Sequence, residues 1–87
     1  MAQIIFAARA LDDLERAHQL GDTASIESAV DNLATHPLVG RRVEGDLREL
    51  VISFGDTGFI ALYRFVVQRD EVRVLALRHQ REIGYLP

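Results

Sequence analysis

The chain has 87 residues and a mass of 9.8 kDa, enough for one small domain and one core. Apolar residues make up 48% and charged residues 26%, the balance of a folded globular domain rather than a disordered one. Cysteine is absent, which excludes disulfides, thiolate metal sites and cysteine nucleophiles.

No apolar run approaches the ~20 residues of a membrane span. The start, Met1-Ala2-Gln3-Ile4-Ile5-Phe6, lacks the basic region of a secretory signal, so a cytoplasmic protein with no membrane association is expected. All ten basic residues are Arg, and the net charge is -3. Residues 1–40 carry two Arg against six acidic groups, and residues 41–87 carry eight Arg against seven. A protein that holds nucleic acid through its phosphates needs a clear basic excess, so direct nucleic-acid binding is not expected.

Gln3 to Ala7 reads as a short strand. Ala10, Leu11, Leu14, Ala17 and His18 then recur at helical spacing, with Asp12, Asp13, Glu15 and Arg16 around the rest of the helix. Gly21 stops that helix, and Asp22 or Thr23 caps a second one. Its stripe is Ile26, Ala29, Val30, Leu33 and Ala34, and His36-Pro37 ends it. The short connection predicts an antiparallel helical hairpin. Residues 36–45, with Pro37, Gly40 and Gly45, read as a loop.

The period then changes to two. Leu47–Phe54, Phe59–Val67 and Val72–His79 form three predicted strands, with hairpin connections at 55–58 and 69–71. The expected fold is α+β: an N-terminal strand and a helical hairpin packed on an antiparallel sheet completed by a C-terminal three-strand meander, all within one domain spanning 1–87.

Chemistry-bearing residues are sparse. His18, His36 and His79 have no metal-type spacing, and no metal or cofactor is expected. His18 reads as a packing or hydrogen-bonding side chain, and His36 as a partner for the last helix carbonyls. Gly55 and Gly58 fit turns rather than a phosphate loop. Ser25, Ser28 and Ser53 lack a neighbouring base in the sequence. Asp12-Asp13 reads as a solvated helix surface.

The densest cluster is Arg78-His79-Gln80-Arg81-Glu82-Ile83-Gly84-Tyr85. Two guanidiniums, an imidazole, an amide and a phenol at a strand end suit anion binding, or acid and base work on a phosphodiester. From chemistry alone they better suit a polar strand end leading into a short exposed segment, with Arg78 and Arg81 paired to Glu49 or Glu82. Arg41-Arg42 is a loop pair able to grip an acidic partner, or simply to be solvated.

The order of elements, with Arg48-Glu49-Leu50-Val51, Gly58 to Phe65 ("GFIALYRF") and Val74 to Tyr85 ("VLALRHQREIGY"), resembles the RelE/ParE superfamily of type II toxin–antitoxin toxins. It is most similar to the ParE, or plasmid-stabilisation, branch. The resemblance implies a toxin neutralised by a ParD-like antitoxin that wraps the helical hairpin and part of the sheet. Candidate antitoxin contacts are Leu11, Leu14, His18, Ile26, Val30, Leu33, Arg41 and Arg42, because a small sheet leaves part of the helix stripes and an edge uncovered.

Within the superfamily, the ParE branch inhibits DNA gyrase and the RelE branch cuts mRNA on the ribosome. Candidate target contacts are Arg64, Arg78, His79, Gln80, Arg81 and Tyr85. For a ribonuclease, the resemblance would assign Tyr85 as the terminal tyrosine and His79 or Arg81 as the acid, base or phosphate ligand. Val51 and Ser53, however, stand where that branch has lysines, and Ile60 where it has a transition-state arginine. Arg64 lies about 13 Å further along the strand. Losing a positioned guanidinium typically costs several kcal/mol in such a barrier. A non-enzymatic inhibitor of gyrase is therefore expected, with ribosome-dependent mRNA cleavage as the alternative.

Overall fold

In the computed structural model, the first strand, β1 (Gln3–Phe6), lies beside the last, β5 (Glu71–His79), and runs parallel to it. The structure describes residues 1–19, 24–54 and 57–79. The predicted Gly21 stop, the Asp22 or Thr23 cap and the Gly55-Asp56 part of the hairpin connection lie outside them. Between the two strands come α1 (Ala8–Gln19), α2 (Ala24–Asn32), β2 (Arg41–Glu44), β3 (Leu47–Phe54) and β4 (Thr57–Val66). The sheet order is β1-β5-β4-β3-β2.

The fold is α+β as expected, with two corrections to the sheet. It is mixed rather than antiparallel, since β1 pairs with β5 in parallel while the other pairs are antiparallel. It also has a fifth strand, β2, inside the segment read as a loop. Arg41-Arg42-Val43-Glu44 is exposed throughout and has no apolar alternation to announce a strand. It is recruited by pairing with β3, Arg41 opposite Glu49, and its edge is irregular between Arg42 and Glu44. Gly45 adopts φ +56°, a left-handed turn conformation that glycine enters without steric cost, and returns the chain to β3.

Both helices contribute to one core on one side of the sheet. Ala10, Ala17, Ile26, Val30 and Leu33 pack with Ile52, Phe59, Ala61, Tyr63, Val72, Val74 and Leu77. Each fully buried aliphatic chain contributes about 1.5–3 kcal/mol of transfer free energy. The small side chains of Ala10 and Ala17 let α1 approach β5 closely. Asp13 lies in the same buried row, only 3% exposed at its side chain, so the solvated position expected for it is wrong. Among the described residues, no helix is long and apolar enough to cross a membrane.

One irregularity sets the direction of the last strand. Leu62 pairs with Ala76 but Tyr63 pairs with Val74, so Leu75 is an extra residue in β5. Such a bulge shifts the alternation of everything beyond it. Val72 and Val74 face the helices before the bulge; Leu77 and His79 face them after it. Arg73, Ala76 and Arg78 point to the opposite, open face.

Candidate functional site: the open face of the sheet

Strand alternation and the register place four guanidiniums on the face that the helices leave uncovered: Arg41, Arg64, Arg73 and Arg78. Between them lie Leu62, half-buried, and Ile60 and Ala76, both buried. Arg41 donates to Glu49 at 2.8 Å across the β2–β3 pair. Arg64 meets Asp46 from the β2–β3 turn at 3.0 Å. Arg73 donates to Glu71, two residues back on the same strand, at 3.2 Å. Arg78, opposite Ile60, has no carboxylate partner among the described residues. Glu49 is thus engaged by Arg41, not by Arg78.

The expected cluster at the end of β5 is divided by the sheet. Arg78 stands on the open face with Arg64, whereas His79 stands on the helix side. Its imidazole meets the Phe59 ring edge-on, centroids 5.1 Å apart and planes at 81°. The two residues are adjacent in sequence and on opposite surfaces. Gln80, Arg81 and Tyr85 lie outside the described residues.

The helix side carries a separate feature. Leu11, Leu14, Glu15, His18 and Gln19 of α1, with Glu27 of α2, line a groove of about 600 Å³. Leu11 is 52% exposed there. Leu14 is half-buried and His18 exposed, so three of the expected antitoxin contacts share one surface. Ile26, Val30 and Leu33 do not. They are fully buried in the core, because the sheet covers the α2 stripe, and they offer no surface to a partner. Arg41 and Arg42 are on the edge strand β2 at the opposite border of the sheet from β1. There the Arg42 Nε donates to the Gly45 carbonyl at 3.0 Å.

The loop before β2 is held from inside. The Tyr63 hydroxyl donates to the Pro37 carbonyl and accepts from the Gly40 N–H, both at 2.8 Å. Arg48 donates to the Leu38 and Gly40 carbonyls at 3.1 and 2.7 Å. Burial raises the Tyr63 pKa above its ordinary 10.0, against the lowering effects of the Gly40 hydrogen bond and the Arg48 charge. Leu38 and Val39, both exposed, ride on this fixed backbone.

Sequence patterning missed two of these anchors. Asp13 is three residues after Ala10 and four before Ala17, inside the buried stripe; that spacing was the available signal. Tyr63 looked like any apolar strand residue, and only its buried hydroxyl needs partners.

Two helices over one side of a five-strand mixed sheet match the architecture of RelE-like structures. The family model for the ParE toxin of the type II toxin–antitoxin system parDE matches residues 4–84. Toxin RelE3 of Caulobacter vibrioides is 39% identical over 71 residues, covering 79% of this chain and 75% of that protein. The fold is similar to a chain of the intact Escherichia coli RelBE toxin–antitoxin complex. There the TM-score is 0.71 at 17% identity, covering 90% of this chain and 95% of that one. It is also similar to a chain of the Mycobacterium tuberculosis RelBE2 complex, with TM-score 0.65 and 27% identity over 90% and 96% of the two chains. This chain belongs to the ParE toxin family: it is a type II toxin of the RelE/ParE superfamily.

Proposed function

We propose that this toxin acts in the cytoplasm by occupying DNA gyrase through the open face of its sheet, without cleaving a substrate. The observation that carries this reading is the state of the guanidiniums on that face. Arg41, Arg64 and Arg73 are each tied to a carboxylate, which leaves Arg78 as the one cation there without such a partner among the described residues. Phosphodiester cleavage needs positive charge aimed at a developing pentacovalent phosphate. Neutralised pairs suit a protein surface better, where they fix register and specificity. The separation of His79 from Arg78 points the same way, since an acid–base pair must reach the same phosphate.

The toxin is held inactive by a ParD-like antitoxin, one segment of which lies in the groove between the helices. Leu11 and Leu14 supply apolar seats there, and Glu15 and Glu27 favour a basic flank on the partner helix. Two of the structural neighbours are described as toxin–antitoxin complexes, which supports a protein partner of this kind.

The name of the Caulobacter relative and the RelE neighbours favour a second reading, ribosome-dependent mRNA cleavage. Controlled expression in a bacterium, scored separately for DNA damage and for translation, distinguishes the two. Purified toxin should inhibit gyrase supercoiling. Translation arrest with mapped mRNA cuts and no DNA-damage response would replace the first reading with the second.

A further inference from the structure

β1 accompanies β5 only as far as Val74, where the Ala7 N–H makes the last bond to the Val74 carbonyl. Beyond that point the outer edge of β5 has no strand neighbour among the described residues, and α1 packs against it. Leu77 lies on this unaccompanied stretch, two residues past the bulge. Its N–H donates at 3.0 Å to the carboxylate of Asp13, a residue 64 positions earlier in the chain. Asp13 also accepts from Arg16 at 2.6 Å and lies 3.9 Å from Arg9. The side chains of Arg9 and Arg16 are each 63% exposed, whereas that of Asp13 is 3% exposed.

A carboxylate buried in a helix–sheet contact is expensive, and packing alone would be served as well by an apolar residue. What an apolar residue cannot do is accept the Leu77 N–H. The bulge makes that bond consequential. Without the extra Leu75, the alternation through Val72 and Val74 would turn Arg78 toward the helices and His79 to the open face. Once β1 has ended, the Asp13 carboxylate pins the shifted register from the outer side.

We propose that Asp13 is a positioning residue that locks the shifted end of β5, so that Arg78 is delivered to the open face that also carries Arg64 and Arg73. The functional part of this inference rests on the proposed role of that face; the positional part does not.

The test is amide exchange and side-chain contacts by NMR, with growth arrest measured alongside, on the full chain. Asp13→Leu keeps bulk and removes the acceptor. Exchange at Leu77 should speed up at least about tenfold while the Val72 and Val74 amides keep their protection. The Phe59–His79 contact should be lost, and growth arrest should weaken about tenfold. Asp13→Asn keeps an oxygen acceptor and should restore both the contact and the arrest. Unchanged Leu77 exchange in Asp13→Leu overturns the proposal. Should Asp13→Leu fail to fold, Asp13→Asn decides: a retained Phe59–His79 contact upholds it, and a lost one overturns it. A lost register with undiminished growth arrest upholds the positioning and removes the open face from the toxic mechanism.

Discussion

Gly40 and Tyr63 are fitted so closely that a single added carbon has nowhere to go. A Cβ on Gly40 would lie 2.6 Å from both the Tyr63 Cε1 and its hydroxyl, and 2.8 Å from the Glu49 carbonyl. Neither obstacle is the loose end of a flexible chain: one is a buried ring held by two hydrogen bonds, the other strand backbone. Gly40→Ala should therefore destabilise the fold by about 1–3 kcal/mol, the usual range for overpacking. In a domain of this size each kcal/mol lowers Tm by about 4–8 °C. A thermal melt checks it, and an unchanged Tm would refute the steric account.

Tyr63→Phe removes the hydroxyl and leaves the Gly40 N–H and the Pro37 carbonyl without their partner. The expected loss is about 1–3 kcal/mol, read by urea denaturation. The same hydroxyl gives stability a pH dependence. Its pKa is raised in the folded state, so the unfolded chain releases the phenolic proton first. The contribution is fully present below pH 10.0, the ordinary value, and is lost as pH climbs through the raised one. Denaturation midpoints measured on either side of that value should fall for the native protein, and this component of the fall should vanish in Tyr63→Phe.

The helix groove and the helix core should respond differently to the same kind of change. Leu11→Ala acts at an exposed seat and should leave Tm nearly unchanged while weakening antitoxin binding by about 1–2 kcal/mol, five- to thirtyfold in Kd. Val30→Ala removes two buried methyl groups and should cost about 1–3 kcal/mol of stability. Calorimetry of each variant, alone and titrated with the antitoxin, tests both halves. A Leu11→Ala toxin that binds with native affinity would exclude the groove as a seat.

Among the cations of the open face, Arg78 and Arg64 separate charge from binding. Arg64 and Asp46 are both substantially exposed, so breaking their pair should change stability by less than about 1 kcal/mol. Arg78→Ala should also leave the fold intact yet reduce growth arrest at least about tenfold. Full toxicity of Arg78→Ala would leave the open face without its proposed role.

Helices and long strands were legible because burial imposes a period: three and four along α1 and α2, two along β3 and β4. What escaped had no period to show. β2 is four exposed residues whose strand character comes from a neighbour, not from its own pattern. The parallel partnership of β1 is a matter of topology, invisible in a four-residue apolar segment. At the end of β5, reading Arg78 and His79 as one cluster treated neighbours in sequence as neighbours in space. The alternation had in fact already broken at Val74-Leu75-Ala76-Leu77, where an apolar run replaces the period of two. In the helices, the hydrophobic stripes correctly identified Ile26, Val30 and Leu33 as inward-facing, but a stripe cannot say whether sheet or partner covers it. Asp13 shows the converse: a charged residue at a stripe position was the sign of a buried acceptor.

The pairing of β1 with β5 also bears on how this protein comes into being. The outermost strand at one border is made early, and the strand it needs follows about seventy residues later. A growing polypeptide can build the β2–β3–β4 hairpins and the two helices, but β1 has no strand to pair with until β5 has been made. The sheet therefore closes through a pairing that spans nearly the whole described length, and long-range closure of this sort is slow beside the forming of the local hairpins.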